Sequence, residues 1–142
     1  MSANWDQSME TGDPNMDREH REIIELVDRL DEIGADDASW MEHAHHVLDK
    51  VMDVTVTHFN TEERLMAQVG YPIDAQARML QQHRDFKAYA RIRVLEFRAG
   101  DRATLGLLPG FLRIWLAEHE FGLDRELVSW IRAHSNDPVA AP

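Results

Sequence analysis

The chain has 142 residues, of which 44% are hydrophobic and 29% are charged, a balance typical of a single globular domain with its own core. Its net charge of −11 disfavours binding to nucleic acids or anionic lipids, and the lack of cysteine excludes disulfides, iron–sulfur clusters and thiolate metal sites. Because the apolar runs are too short for a transmembrane helix and the N-terminus lacks a secretory pattern, we expect a cytoplasmic protein without a membrane partner.

We predict one domain that spans residues 1–142. Its first segment, residues 1–16, is expected to be an irregular N-terminal arm in which Trp5 packs against the rest of the molecule. Residues 136–142 have the composition of a frayed tail. The region between them has the periodicity of helices.

The first two predicted helices have recognisable ends. The first covers residues 17–33, with Asp17 as N-cap and Gly34 as the stop. The second covers residues 39–69, with Ser39 as N-cap, and Gly70-Tyr71-Pro72 ends it. Their apolar faces contain Ile23, Ile24, Val27 and Leu30 in the first helix, and Leu48, Val51, Thr55, Phe59, Leu65 and Met66 in the second.

Two further helices follow. The third begins near Asp74 and ends before Gly100, and the fourth begins between Thr104 and Pro109. An amphipathic stretch, Leu123–Ile131, either continues the fourth helix or forms a short fifth one. No segment alternates with the period of a strand. Short connections between long helices predict an all-α, up-down-up-down four-helix bundle.

Polar residues interrupt these apolar faces. Each predicted helix places a histidine inward, and two helices add a carboxylate. A single inward histidine is usually a hydrogen-bonded core residue, but buried carboxylates are unfavourable without a cation. We therefore predict a metal site in the bundle core. The predicted ligands are His20, His58, Glu62, His83, His119 and Asp124.

The donor set restricts the metal. Imidazole suits zinc, copper, iron and nickel, whereas carboxylates favour harder ions and bridge pairs of them. Four imidazoles and two carboxylates exceed what one tetrahedral zinc needs, and they fit two irons bridged by the acids. The zinc-protease pattern H-E-x-x-H is absent, and the ferritin-like Glu-x-x-His pattern occurs once, at Glu42 and His45.

Three segments resemble the hemerythrin family, in particular its bacterial single-domain members. Residues 16–20 (MDREH) resemble the segment with the family's first histidine, and residues 58–63 (HFNTEE) resemble its H-F-x-x-E-E motif. Residues 119–124 (HEFGLD) match its closing H-x-x-x-x-D. The likeness extends from Trp5 to about Asp124, most of the chain.

The resemblance implies a non-haem di-iron centre with an oxo or hydroxo bridge that binds O₂ or small anions. One iron in the family keeps an open position, where O₂ binds reversibly for storage, delivery or sensing. By position, one iron would be held by His20 and His58 and the other by His83 and His119, with Glu62 and Asp124 bridging them.

The family's oxygen pocket is lined by apolar side chains that keep water out. Five apolar side chains of this sequence are expected next to the predicted ligands, and they either line such a pocket or simply belong to the core. These candidates are Ile23, Ile24, Phe59, Met66 and Met79.

The third helix departs from the family's H-x-x-x-H pattern, because Met79 stands four residues before His83. A thioether is a weak ligand for iron. Three outcomes remain open: the second iron has an open or water-filled position, Gln76 or Gln82 replaces the imidazole, or the second iron binds weakly. An open position would favour a di-iron oxidase or peroxidase, and an iron- or oxygen-responsive signalling bundle is a further alternative.

Overall fold

The computed structural model describes residues 7–33, 38–100 and 102–134, without the side chains of Arg102, Leu105 and His119. Every regular element within those ranges is helical. The elements are a 3-10 turn at Gln7–Met9, α1 at Pro14–Asp31, α2 at Trp40–Val69, α3 at Ile73–Arg98, α4 at Arg102–Trp115, a π turn at Leu116–Glu120, and α5 at Phe121–Ala133. The π turn joins α4 to α5, so that these two helices form one continuous rod, one of the two arrangements that the sequence predicted.

The helices close a ring in which α1 and α3 each pack against α2 and α4. Arg113 on α4 ties this helix to α1, because its Nη2 lies 2.8 Å from Asp28 Oδ1 and its Nη1 lies 3.0 Å from Asp31 Oδ2. The predicted all-α, up-down-up-down four-helix bundle is confirmed. None of the described helices combines the length and apolarity that a bilayer span requires.

α1 begins earlier than predicted. Its N-cap is Asp13, whose side chain accepts a hydrogen bond from the Asn15 N–H at 3.3 Å, and Pro14 occupies the first helical position that proline favours. The predicted N-cap, Asp17, instead lies in the first turn and accepts hydrogen bonds from the Thr11 N–H at 2.8 Å and hydroxyl at 2.9 Å. The predicted N-cap and the arm boundary at residue 16 were therefore wrong.

α4 also begins earlier than predicted, at Arg102 rather than between Thr104 and Pro109. Pro109 lies inside α4, although proline cannot donate the helical hydrogen bond at its own position. The predictions for Trp5, Gly34 and residues 136–142 fall outside the described residues.

The predicted end of α2 is confirmed at Gly70. This glycine adopts the left-handed conformation, with φ 67° and ψ 38°, and its N–H donates to the carbonyl of Met66. Ser39 is the N-cap of the same helix, as predicted. The polypeptide then turns directly into α3 at Ile73, so the turn holds α2 and α3 as neighbours.

Alanine substitutions at two glycines should have opposite effects on stability. Gly70→Ala puts a Cβ at positive φ and is expected to lower the free energy of unfolding by about 1–2 kcal/mol. Gly110→Ala, at an exposed position inside α4 with no neighbour near the new Cβ, should raise it by about 0.5–1 kcal/mol. Chemical denaturation of the metal-free chain measures both values, and effects of the same sign would contradict this account.

The core consists of two apolar clusters, one at each end of the bundle's interior. The bundle has four rods, which are α1, α2, α3 and the joined helices α4 and α5. On each rod, buried polar residues lie between the members of the larger cluster and those of the smaller one. The larger cluster includes Ile23, Ile24, Val51, Phe59, Phe86, Leu112, Leu116 and Phe121, and the smaller one comprises Met16, Met66, Tyr71, Met79, Leu127 and Val128.

Candidate metal centre

Buried polar side chains form a layer across the bundle between the two apolar clusters. Each of the four rods contributes to it, because inward positions recur every three or four residues along a helix. None of these side chains is more than 1% exposed. The layer, called the polar layer below, consists of His20, His58, Glu62, His83, Glu120 and Asp124.

Three atoms in the polar layer form a tight triangle. His20 Nε2 lies 3.0 Å from His58 Nε2, and Asp124 Oδ2 lies 2.7 Å from the first and 3.2 Å from the second. A neutral imidazole carries only one N–H, so these three contacts cannot all be hydrogen bonds between neutral rings and one carboxylate. Ligands about 2.1 Å from a common ion and at right angles to each other are about 3 Å apart. The triangle therefore has the dimensions of ligands around one cation.

A second group surrounds His83. Its Nε2 lies 2.9 Å from Glu120 Oε1 and 3.5 Å from Glu62 Oε2, while its Nδ1 lies 2.8 Å from Glu63 Oε2. Both ring nitrogens thus face carboxylates. When the Nδ1–H donates to Glu63, Nε2 needs either a proton or a metal ion on the side facing Glu120 and Glu62.

Glu62 lies between the two groups. Its Oε1 contacts His58 Nε2, and its Oε2 faces His83 Nε2. The i, i+4 spacing of His58 and Glu62 places both side chains on the same face of α2. A carboxylate with one oxygen on each side has the arrangement needed to bridge two metal ions.

Two outer carboxylates face the imidazoles. Glu19 Oε1 lies 3.6 Å from His58 Nδ1, which is an ion-pair contact rather than a hydrogen bond, and Glu63 Oε2 lies 2.8 Å from His83 Nδ1. These glutamates are about one-third exposed, with side-chain accessibilities of 31% and 32%, so they connect the buried layer to the surface. A carboxylate that accepts the outer N–H of a histidine, as Glu63 can from His83, fixes its tautomer and aims the other nitrogen at a metal.

Aromatic rings hold two of the imidazoles in place. Phe121 stacks on His20 with 3.8 Å between ring centroids and 19° between planes. Phe59 stacks on His83 at 4.0 Å and 9°. Both phenylalanines are fully buried members of the larger cluster, so the orientation of these imidazoles depends on core packing.

The crowding of three carboxylates shifts their protonation. Burial, together with the negative charges of Asp124 and Glu120, raises the pKa of Glu62 well above its usual value. Burial and the charge of Asp124 raise the pKa of Glu120 to about 7. Burial opposes ionisation of Asp124, but hydrogen bonds from neighbours that include His20 and His58 lower its pKa overall. Protons on these groups neutralise the layer when no metal is bound, and metal ions can displace those protons.

The donor set fits a pair of first-row metal ions. It offers three imidazoles and three carboxylates, the donor types that iron accepts in proteins. Within the described residues, Glu120 Oε2 and Asp124 Oδ1 are buried without a hydrogen-bond partner. Unpaired buried oxygens are unfavourable, and coordination to a cation would satisfy them.

Comparison with known proteins agrees with this geometry. The family model described as the Hemerythrin HHE cation binding domain matches residues 11–131. The chain belongs to the hemerythrin family. The resemblance found in the sequence is thus confirmed over most of the chain, and the matched range contains the whole polar layer.

Named hemerythrin relatives match over nearly the whole chain. A bacteriohemerythrin of Stenotrophomonas maltophilia (strain R551-3) is 33% identical over 133 residues, which cover 93% of this chain and 83% of the relative. A bacteriohemerythrin of Pseudomonas aeruginosa (strain LESB58) is 29% identical over 95% of this chain and 85% of its own length. A myohemerythrin of Riftia pachyptila is 30% identical over 84% of this chain and 86% of its own length. No solved structure matches the chain significantly.

The structure brings together five of the six ligands predicted for a hemerythrin centre. The side chain of the sixth, His119, lies outside the described residues. The five that meet in the polar layer are His20, His58, Glu62, His83 and Asp124.

Sequence reasoning missed Glu120. Glu120 lies four residues after the buried Leu116 and four before Asp124, a spacing that keeps all three on one face only where the helix is locally wider than an α-helix. The family motif H-x-x-x-x-D drew attention to His119 instead.

The π turn explains how Glu120 reaches the interior. In an α-helix, four residues advance by about 400°, which is about 40° beyond a full turn, so residues four apart drift around the helix. In the π turn the Phe121 N–H donates to Leu116 O, five residues earlier, and the extra residue compensates for this drift. Leu112, Leu116, Glu120 and Asp124 are consequently all buried on one face.

Met79, Gln76 and Gln82 are the residues that bear on the imidazole missing from the third helix. Met79 is 1% exposed and packs in the smaller apolar cluster. Gln76 donates its amide to Tyr71 O at 2.7 Å, at the start of α3, and Gln82 is half-buried. The described neighbour closest to the inner nitrogen of His83 is the carboxylate of Glu120.

The proposed lining residues are buried beside the polar layer. Ile23, Ile24 and Phe59 belong to the larger cluster, and Met66 belongs to the smaller one with Met79. A surface cleft of about 310 Å³ approaches the layer between α1 and α2. Its lining includes Met16, Glu19, His58, Glu62, Arg64 and Leu65.

Proposed function

We propose that this chain holds two non-haem irons bridged by carboxylates and binds O₂ reversibly at this centre, for storage, delivery or sensing. The observation that carries the proposal is the convergence of the polar layer from four rods in a chain of the hemerythrin family. Two of its relatives are named bacteriohemerythrin and myohemerythrin, which supports the same function. When bound, the ferrous ions supply the electrons that O₂ requires.

The proposal assigns a role to each ligand predicted from the sequence. His20 and His58 hold one iron, and their 3.0 Å separation supports a shared ion. His83 holds the other, together with His119. Glu62 bridges the pair, supported by its oxygens facing opposite groups, and Asp124 is the second proposed bridge.

Apolar packing is proposed to protect the bound oxygen. Water next to such a centre promotes its irreversible oxidation, so the surroundings must be dry. Support comes from the burial of the five proposed lining side chains, none of which is more than 1% exposed. The proposed lining consists of Ile23, Ile24, Phe59, Met66 and Met79.

The cleft between α1 and α2 is the proposed route for a small molecule. It reaches His58 and Glu62, which are each only 1% exposed, so passage requires small side-chain movements. A diatomic ligand needs less movement than a larger substrate. The narrow access therefore favours an oxygen binder over an enzyme that acts on organic molecules. The oxidase or peroxidase alternative stays a prediction, and a measurement of peroxide turnover would test it.

Anaerobic loading with Fe²⁺ followed by exposure to air tests the proposed function. We expect two irons per chain and a visible charge-transfer band that appears with O₂ and disappears under vacuum over repeated cycles. The matched control is the chain loaded with Zn²⁺, which has no redox chemistry and should stay colourless. A band that forms once and does not disappear under vacuum, or a chain that binds no iron, would overturn the proposal.

A further inference from the structure

Glu120 occupies a buried position in which its ionised carboxylate needs a cation beside it. Its side chain is fully buried, and its Oε1 lies 2.9 Å from His83 Nε2. Its Oε2 is buried and has no hydrogen-bond partner among the described residues. A carboxylate in this state is strongly unfavourable in a protein interior unless a cation lies next to it.

His83 provides the second half of the argument. Glu63 contacts its outer nitrogen at 2.8 Å, which directs the lone pair of the inner nitrogen toward Glu120 and Glu62. A lone pair that faces two carboxylate oxygens is repulsive unless a proton or a metal ion lies between them. An imidazole nitrogen and two carboxylate oxygens within 4.8 Å of one another are a suitable ligand set for a metal ion.

We propose that Glu120 is a metal ligand that forms, with His83 and Glu62, an oxygen-rich second metal position; this rests on the function proposed above. The other position, formed by His20 and His58, has no such additional carboxylate and is called the nitrogen-rich position. The two positions share Glu62. A carboxylate thus takes the place of the imidazole that Met79 removes from the third helix.

The two positions have different chemistry as a consequence. Imidazole is the softer donor, whereas carboxylate oxygens favour harder ions such as ferric iron and Mn²⁺. The oxygen-rich position therefore favours the ferric state more than the nitrogen-rich position does. The metal pair is unequal, and its two members bind with different affinities.

Glu120→Gln tests the assignment because it keeps the shape of the side chain but removes the charge. Anaerobic equilibrium dialysis against Fe²⁺ should give two bound irons for the unaltered chain. The variant should keep one iron at its original affinity, and its second affinity should fall by more than about 100-fold, beyond the loss typical of residues that only orient a ligand. Mössbauer spectra of the ferrous protein should show two unequal iron environments in the unaltered chain and one in the variant.

Glu118→Gln is the matched control, since Glu118 lies in the same π turn with an exposed side chain. This control should bind both irons like the unaltered chain. Glu120→Asp, which keeps the charge on a shorter side chain, should bind the second iron with intermediate affinity. If Glu120→Gln does not fold, as judged by helical circular dichroism, Glu120→Asp alone decides, and unchanged second-iron affinity would overturn the proposal.

Other outcomes separate this inference from the proposed function. If the unaltered chain and Glu120→Gln both bind two irons with equal affinity, the second iron does not need Glu120 and our proposal is wrong, whether or not His119→Ala loses an iron. Loss of both irons from a folded Glu120→Gln chain would exclude two separable positions and would also overturn it. A chain that binds no iron before any substitution contradicts the proposed function itself.

Discussion

Replacing Asp124 by asparagine should abolish stable iron binding at the position formed by His20 and His58. Asp124 Oδ2 is the shared contact of both imidazoles, at 2.7 and 3.2 Å, and its Oδ1 is a second buried oxygen without a hydrogen-bond partner among the described residues. Asparagine keeps the volume but removes the negative charge and turns one oxygen into a hydrogen-bond donor. We expect the affinity for Fe²⁺ to fall by more than about 100-fold, with loss of the visible band.

Asp53→Asn is the control for this substitution. Asp53 lies at an exposed position on α2, so its replacement by asparagine is the same chemical change outside the polar layer. Iron per chain after anaerobic loading and desalting is the measurement, with helical circular dichroism to show that both variants fold. An Asp124→Asn chain that retains two irons through desalting would show that this carboxylate is not a ligand.

Helix periodicity was sufficient to predict the fold. Buried residues recur at helical spacing along α2 and α3, and a left-handed glycine at Gly70 marks the boundary between the two helices. The errors occurred at helix starts. Asp13 and Asp17 are both acceptable N-caps, and only the position of Pro14 and the contacts of Thr11 distinguish them. Such contacts are made in three dimensions and leave little trace in sequence.

Most of the polar layer could be predicted because regular helices project residues at fixed intervals. His58 and Glu62 are four residues apart on α2, and their positions on one face follow from helical geometry alone. Glu120 escaped prediction because its inward direction depends on the π turn, a backbone irregularity that apolar spacing does not specify. Whether Glu120 can join the proposed ligand His119 at the metal is therefore decided by backbone geometry rather than by composition.

Phe59→Ala should be the most destabilising of the substitutions considered. Phe59 is fully buried. Its ring stacks on His83 with 4.0 Å between ring centroids, and it packs edge-to-face with Phe86, with 5.5 Å between those centroids. Removing a buried phenylalanine ring lowers the free energy of unfolding by about 3–5 kcal/mol, through lost apolar burial and the remaining cavity. Chemical denaturation of the chelator-treated chain measures this effect without a contribution from metal binding.

Ile114→Ala provides the control, because Ile114 is 59% exposed on α4 and its loss should change stability by no more than about 0.5 kcal/mol. The iron-loaded chain should show a larger deficit for Phe59→Ala than the metal-free chain does. The reason is that a His83 ring without its stacking partner binds metal less tightly, and the folded state then gains less from the same free iron. Equal deficits in the two forms would mean that Phe59 supports the core alone and does not position His83.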